Sequence, residues 1–290
     1  LKSRGPRPGS AMGALRRLFP WAEDLGQALV DGLKKAGQNL REKFKVNPLQ
    51  LWSEIDPATT ALPELLDHYR QKPTRHIGHG AFGNVVVMRA KAGGAQHAVK
   101  LCPTSGLTKE GQVNLCREVM LLTDVNHESI VKVHGIYKCT RAVDVEMPVG
   151  VSLPSLPYIC IAMEFVSGDV LASLISGPDP LKARTLAPKL VEALAHLHAR
   201  GICHGDIHSG NIMLTPWLEP KVIDFGLASY YTGAEQVKTT FNTEYGAPEA
   251  FRGTFGQPPQ DCWALGIVIA EIAIGRVLRF HQGGTPGKPL

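Results

Sequence analysis

The stretch His204-Gly205-Asp206-Ile207-His208-Ser209-Gly210-Asn211 carries an aspartate and an asparagine five residues apart, with a histidine between them. It follows residues 181–200, whose apolar residues recur at three- and four-residue steps and predict a helix with one buried face. Val222-Ile223-Asp224-Phe225-Gly226 comes next and brings a second aspartate. These two short stretches decide how the rest of the chain is interpreted.

A glycine-rich segment, Ile77-Gly78-His79-Gly80-Ala81-Phe82-Gly83-Asn84-Val85, joins two predicted strands at residues 75–77 and 84–89. Glycine lets a backbone turn tightly and approach phosphate groups without a Cβ in the way. A dinucleotide-binding segment needs a helix directly after the glycines, and this sequence predicts a strand there. Alone, the pattern does not separate a phosphate-binding loop from an ordinary hairpin.

One lysine and one glutamate follow at informative distances. Lys100 lies in the next predicted strand, residues 96–102, seventeen residues after the last glycine of the loop. Glu118 comes eighteen residues later, in a helix predicted for residues 109–124. Each is also compatible with an exposed charge on a strand edge or a helix face. Two more strands are predicted at residues 131–138 and 158–165, and the pattern after residue 170 is mainly helical.

The composition is that of a globular protein, with 44% hydrophobic and 20% charged residues in a chain of 290. The net charge of +5 is concentrated in residues 1–46, where ten lysines and arginines face four acids. Within this basic extension, residues 1–72, apolar spacing predicts an amphipathic helix over residues 21–46 and a short helix over residues 63–70. The longer helix either packs on the following domain or docks on a membrane or a protein partner. No nucleic-acid partner is predicted.

The six cysteines are scattered and show neither a paired spacing nor a metal-ligand spacing. We therefore expect reduced thiols in an intracellular, cytoplasmic protein. The longest apolar stretch, residues 264–275, contains Glu271 and is too short to span a membrane.

Taken together, the motifs resemble the eukaryotic protein kinase family. The resemblance runs from residue 77 to residue 275 and includes Ala247-Pro248-Glu249 and Asp261-Cys262-Trp263-Ala264-Leu265-Gly266. Seven elements in the family's order and spacing make a chance match very improbable. The implied fold is α+β and two-lobed, a protein kinase-like fold.

The resemblance also implies domain limits. The kinase domain would cover residues 73–290, with an antiparallel-sheet N-lobe containing one helix (73–163), a hinge (164–168) and a mainly helical C-lobe (169–290). The chain ends soon after a helix predicted for residues 261–275, so we expect this C-lobe to be incomplete.

Each motif residue takes a role from the resemblance. The family moves the γ-phosphate of ATP to a protein hydroxyl, so ATP, Mg²⁺ and a protein substrate are implied. Asp206 would accept the hydroxyl proton, Asn211 and Asp224 would hold Mg²⁺, and Lys100, paired with Glu118, would hold the α- and β-phosphates. The implied nucleotide pocket, with Met163 as gatekeeper before the hinge, consists of Ile77, Gly78, Gly80, Gly83, Val85, Ala98, Lys100, Met163, Glu164, Val166, Met213 and Asp224.

Two residues depart from the family pattern. Gly205 replaces an arginine that pairs with a phosphorylated activation-loop residue, so we expect activity that depends little on activation-loop phosphorylation. His208 stands where Ser/Thr kinases carry a lysine that meets the γ-phosphate, and a neutral imidazole donates only one hydrogen bond. The absence of the Ala-Ala-Arg residues of tyrosine kinases favours Ser/Thr specificity.

Other interpretations stay open at this stage. The loop from His204 to Asn211 also resembles that of small-molecule phosphotransferases, although Ala247-Pro248-Glu249 belongs to the protein-substrate platform and argues against them. The departures at Gly205 and His208 suit a pseudokinase or a nucleotide-binding scaffold. A truncated product without a stable fold is the third alternative.

Overall fold

The computed structural model describes residues 52, 56–57, 62–80, 83–144, 153, 155–231, 242–253 and 256–278. The helix predicted for residues 21–46 lies outside the described residues, so its docking stays a prediction of the sequence. None of the described helices is long and apolar enough to cross a membrane.

Five strands form an antiparallel sheet in the order β1-β2-β3-β5-β4. Their bounds are β1 Arg75–Gly80, β2 Gly83–Arg89, β3 Gln96–Pro103, β4 Val133–Cys139 and β5 Tyr158–Glu164. The central strands β3 and β5 are almost wholly buried, as expected for strands covered on both faces. The glycine-rich segment therefore connects two paired strands, β1 and β2, and is a hairpin loop at the sheet edge.

Two helices pack against this sheet. The short α1, Leu65–His68, lies over one apolar cluster, and α2, Lys109–Asp124, joins the main core. α2 begins where the Thr108 hydroxyl accepts a hydrogen bond from the backbone N–H of Gly111 (3.1 Å), which satisfies one of the unpaired amides of its first turn. The sheet and α2 together make the predicted N-lobe with one helix.

The C-lobe is mainly helical, with α3 Leu171–Leu174, α4 Pro180–His198 and α5 Pro258–Ile274. Short strands lie between them: β6 Asp169–Val170, β7 Ile202–Cys203, β8 Ile212–Leu214, β9 Pro220–Val222 and β10 Ser229–Tyr230. α4 and α5 pack together at the centre of this lobe. α5 ends at Gly275, where φ is +75° and an added Cβ would lie 1.8 Å from the carbonyl carbon of Gly177, so only glycine fits there.

The α+β fold with a sheet N-lobe and a short helical C-lobe is the one predicted. α2 has the predicted bounds, and the ends of α4 and α5 differ from the predicted ones by one to three residues. The helix predicted for residues 63–70 was too long, because Tyr69 already bridges Ala90 next to the sheet. The strand predicted from residue 131 starts later, since the N–H of Val131 donates to Val222 of β9 (3.0 Å) instead of pairing with β5.

Candidate active site

Lys100, at the middle of β3, and Glu118, on α2, form a buried ion pair. Lys100 Nζ lies 2.5 Å from Glu118 Oε1 and 3.6 Å from Asp224 Oδ1. Burial lowers the pKa of Lys100, but the negative charges of Glu118 and Asp224 outweigh burial, so the pKa is raised and the amine stays charged. The alternative of two exposed charges is wrong, because Lys100 is 5% and Glu118 3% exposed.

The loop between β7 and β8 carries Asp206 and Asn211. Asn211 Nδ2 donates to both the backbone carbonyl and the Oδ2 of Asp206, each at 3.0 Å. Burial raises the pKa of Asp206, but hydrogen bonding from His208 and Asn211 outweighs it and holds the pKa below its usual value. Asp206 is therefore an ionised carboxylate at neutral pH, able to accept a proton.

Asp261, at the start of α5, holds this loop in place from below. Its carboxylate accepts hydrogen bonds from the backbone N–H of His204 (2.8 Å) and of Gly205 (2.9 Å), and it lies 2.9 Å from His198 Nε2. His198, His204 and Asp261 are buried and Gly205 is half-buried, so the three contacts to the charged carboxylate are strong constraints on the loop. The sequence motif containing Asp261 was recognised, but its contact with the loop was not predicted. The one clue was an acid at the head of an apolar helix.

Asp224 follows β9 and sits in the left-handed region, with φ of +59°. Its Oδ1 accepts a hydrogen bond from the N–H of Gly226 (3.1 Å), and its side chain is 42% exposed. Backbone bonding between Ile223 N and Asn211 O (2.9 Å) keeps the two predicted metal ligands on adjoining segments.

These residues suit a hard divalent cation. With the Asn211 amide nitrogen donating to Asp206, its carbonyl oxygen is left as an acceptor, and the Asp224 carboxylate is partly open to solvent. An amide oxygen and a carboxylate are the ligand types that Mg²⁺ takes in proteins. The donor set therefore fits the implied metal.

The predicted nucleotide-pocket residues of the N-lobe share one face of the sheet. Val85 pairs with Lys100, and Ala98 pairs with Met163, so the two-residue period places their side chains on the same side. Ile77 and Gly78 lie in β1 where its register with β2 shifts, and Gly80 and Gly83 pair across the loop. An added Cβ on Gly83 would lie 2.1 Å from Leu101 O.

The remaining pocket residues lie at the hinge and in the C-lobe. Val166 is buried just after β5, and Met213 of β8 pairs with Val170 directly beyond the hinge. Glu164 has a contact that was not predicted, because its carboxylate pairs with Lys221 of β9 (2.9 Å). That ion pair joins the hinge to the strand that leads into Asp224.

Gly205 has a backbone that suits its residue type. Its φ is +76°, and an added Cβ would lie 2.7 Å from Leu227 O. A larger residue here would need this rare conformation as well as a shift of the turn that contains Leu227. The preceding residue, His204, packs edge-on against Phe225, with ring centroids 4.8 Å apart.

Comparisons with known proteins show which family this chain resembles. Residues 71–286 match the family model described as the protein kinase domain. The chain is 30% identical over 220 residues to CBL-interacting serine/threonine-protein kinase 24 of Arabidopsis thaliana, covering 73% of this chain and 46% of that protein. It is 28% identical to serine/threonine-protein kinase kin-29 of Caenorhabditis elegans (69% and 23% covered) and to CBL-interacting protein kinase 25 of Oryza sativa subsp. japonica (69% and 38%).

The chain thus spans less than half the length of these curated relatives. The family match covers nearly three quarters of the chain and includes every element described above from β1 to α5. The ion pair of Lys100 and Glu118 and the loop from Asp206 to Asn211 both lie inside it. The chain belongs to the protein kinase family.

Proposed function

We propose that this chain transfers the γ-phosphate of ATP to a serine or threonine hydroxyl of a protein substrate. The observation that carries the proposal is the buried Lys100. Its Nζ forms an ion pair with Glu118 Oε1 at 2.5 Å and lies 3.6 Å from Asp224 Oδ1. A buried cation beside a partly open carboxylate is the arrangement that binds phosphate groups together with a metal ion.

The roles follow from the charges of the side chains. Lys100 supplies a fixed positive charge for the phosphates, oriented by Glu118. Asp206, ionised at neutral pH, accepts the proton of the acceptor hydroxyl as that oxygen attacks. The apolar face that carries Val85, Ala98 and Met163 would cover the adenine ring.

Asn211 and Asp224 are the residues that would hold Mg²⁺. Their oxygens are of the right type, and the Lys100 amine and the Gly226 N–H orient the Asp224 carboxylate. When bound, the cation would neutralise charge on the phosphate oxygens.

Specificity for serine or threonine is the finer part of the proposal. Two of the relatives named above are called serine/threonine-protein kinases, and the loop after Asp206 lacks the residues typical of tyrosine kinases. The domain would comprise residues 73–290, with a hinge at residues 164–168 after the gatekeeper Met163.

The test is phosphotransfer from radiolabelled ATP with Mg²⁺ to two peptide pools, one with serine and threonine and one with tyrosine only. We expect label in the first pool and none in the second. The matched control is Asp206→Asn, which keeps the size of the side chain and removes its basicity. Equal signals from the two proteins would refute the enzymatic proposal, and label in the tyrosine pool alone would refute the specificity.

A nucleotide-binding scaffold without phosphotransfer is the second candidate. Gly205 and His208 favour it, because both replace charged residues that active members of the family use. It predicts that MgATP raises the melting temperature of the wild type and of Asp206→Asn equally, with no label in either pool.

A further inference from the structure

The imidazole of His208 is in contact with both the Asp206 carboxylate and the ring of Tyr245. Its Nε2 is 3.5 Å from Asp206 Oδ2, and its Nδ1 accepts a hydrogen bond from the N–H of Gly210 (3.1 Å). A nitrogen that accepts a hydrogen bond carries no proton, so the neutral ring has its proton on Nε2. That N–H is the one that faces the carboxylate.

The two oxygens of Asp206 have different surroundings. Oδ2 accepts the hydrogen bond from Asn211 Nδ2 (3.0 Å) and is also the oxygen nearest to His208. Within the part of the chain that the structure describes, no hydrogen bond reaches Oδ1. The carboxylate is thus held through Oδ2, and Oδ1 is left to accept the proton of the substrate hydroxyl.

Gly210 makes room for this ring. A Cβ built on Gly210 would lie 2.9 Å from both Cε1 and Nδ1 of His208, too close for any real contact. Its backbone is not in the left-handed region, so an alanine would fit the chain conformation and collide only with the imidazole. The glycine at this position and the orientation of His208 therefore depend on each other.

Tyr245 also packs against the His208 ring, with ring centroids 5.5 Å apart. Its hydroxyl donates to the buried Glu271 of α5 (2.8 Å) and lies 3.1 Å from Ser209 Oγ. Tyr245 belongs to the segment that begins at Asp224 and ends at Ala247-Pro248-Glu249. Among the described residues, His208 therefore contacts both the Asp206 carboxylate and this segment.

We propose that His208 is a positioning residue, which with Asn211 holds Asp206 by Oδ2 so that Oδ1 accepts the substrate proton. This role rests on the proposed phosphotransfer, and it differs from the γ-phosphate contact of the lysine that Ser/Thr kinases carry at this position. In the step it serves, the hydroxyl oxygen forms a bond to phosphorus and the bond from phosphorus to the ADP oxygen breaks. The hydroxyl proton passes to Oδ1.

Three variants separate this role from others. His208→Leu removes the donor, His208→Gln keeps an N–H at similar reach, and Gly210→Ala keeps the imidazole but displaces it. We expect kcat to fall about 10- to 100-fold in His208→Leu and in Gly210→Ala, since a misplaced reactive group costs rate and not affinity. His208→Gln should recover most of the loss. The Kd for MgATP, measured by calorimetry, should stay within about twofold of the wild type in all three.

Two outcomes would overturn the role. A weaker Kd for MgATP in His208→Leu with kcat retained would show a phosphate contact instead. If kcat falls as much in His208→Gln as in His208→Leu, the side-chain N–H donor is not what positions Asp206. The double variant His208→Leu with Gly210→Ala should lose no more than His208→Leu alone, because both changes remove one interaction.

A readout without turnover keeps this inference distinct from the proposed function. In protein with ¹⁵N-labelled histidine, His208 should show the Nε2–H tautomer, and its Nε2 signal should shift in Asp206→Asn. If the wild type transfers no phosphate but shows this signal, the proposed function fails and the contact stands. If turnover is present but the tautomer is Nδ1–H, the positioning role fails alone.

Discussion

The residue scale is where the departures from the family pattern matter most. The buried pair of Lys100 and Glu118 is intact, as is the pair of Asp206 and Asn211. The altered positions, Gly205 and His208, lie in the same loop as Asp206 and flank it. The groups to which we assign the handling of phosphate and protons are thus present, while Gly205 has no side chain that could bind a phosphorylated residue.

Removal of one member of the buried pair should be costly for stability. Lys100→Met leaves the Glu118 carboxylate buried without its cation, and such a loss costs about 3–5 kcal/mol. Adding Glu118→Gln to Lys100→Met should restore much of the free energy of unfolding, measured by urea denaturation, although both proteins should be inactive. A double variant no more stable than Lys100→Met would contradict the ion pair.

Dependence on phosphorylation is the second prediction at this scale. Gly205 has no side chain to pair with a phosphorylated residue, so treatment with a phosphatase should leave the rate of phosphotransfer unchanged. Mass spectrometry of the treated protein confirms that phosphate has been removed. Loss of activity after treatment would mean that another cation reads the modification.

At the scale of elements, α5 holds the loop from His204 to Asn211 through hydrogen bonds to its backbone. It is an apolar helix that nevertheless buries two acids, Asp261 and Glu271, each facing a partner on another segment. Asp261 holds the loop backbone, and Glu271 holds Tyr245. Burial raises the pKa of Asp261, but hydrogen bonding with His198 outweighs burial and keeps the pKa below its usual value.

Loss of the Asp261 carboxylate should destabilise the loop from His204 to Asn211. Asp261→Ala would leave the buried amide of His204 and the half-buried amide of Gly205 without an acceptor, and an orphaned buried donor costs about 1–3 kcal/mol. We expect a lower free energy of unfolding and a drop in kcat in the same variant. Asp261→Asn keeps one acceptor oxygen, so its free energy of unfolding and its kcat should lie between those of the wild type and of Asp261→Ala. Unchanged stability in Asp261→Ala would show that the loop is held by other contacts.

At the scale of the whole molecule, the two lobes meet along the segment before Asp224. Val222 of β9 bonds with Ser129 and Val131 of the N-lobe connection, and Lys221 pairs with Glu164 of the hinge. Next to this junction, His127 of the same connection packs against His196 of α4, with ring centroids 5.0 Å apart. Nε2 of His196 is buried and has no hydrogen-bond partner among the described residues.

This histidine contact should make stability depend on pH. Burial, Arg200 and His127 lower the pKa of His196 from 6.5 to about 4, against the opposing effect of Asp124. The unfolded chain therefore binds more protons between pH 6.5 and 4, and stability is lost as the pH falls through that range. The loss at pH 5.5 should be on the order of 1 kcal/mol.

The measurement is the melting temperature at pH 7.5 and at pH 5.5, for the wild type and for His196→Gln. The variant lacks the titrating group, so its melting temperature should fall less between the two pH values. An equal fall in both proteins would assign the pH dependence to other groups.

The sequence alone predicted the fold class and most element positions, and it named the candidate site residues that the structure can be compared with. The motif spacing placed Lys100, Glu118, Asp206, Asn211 and Asp224 in order along the chain, and the structure brings Lys100 to Glu118 and Asp224, and Asn211 to Asp206. The local sequence pattern also predicted the bounds of α2, because helix periodicity is a property of neighbouring residues, whereas its Thr108 cap was found only in the structure.

Contacts between distant segments were not predictable in this way. The supports of the site, Asp261 beneath the loop and Lys221 beside the hinge, join residues 56 and 57 positions apart. The spacing along the chain does not show that α5 contacts the loop, or which way a half-buried ring such as that of His208 points. The sequence by itself determined which chemical groups this kinase-family chain possesses. Only the tertiary structure decided which of them hold each other in place, because burial and hydrogen-bond geometry arise from packing.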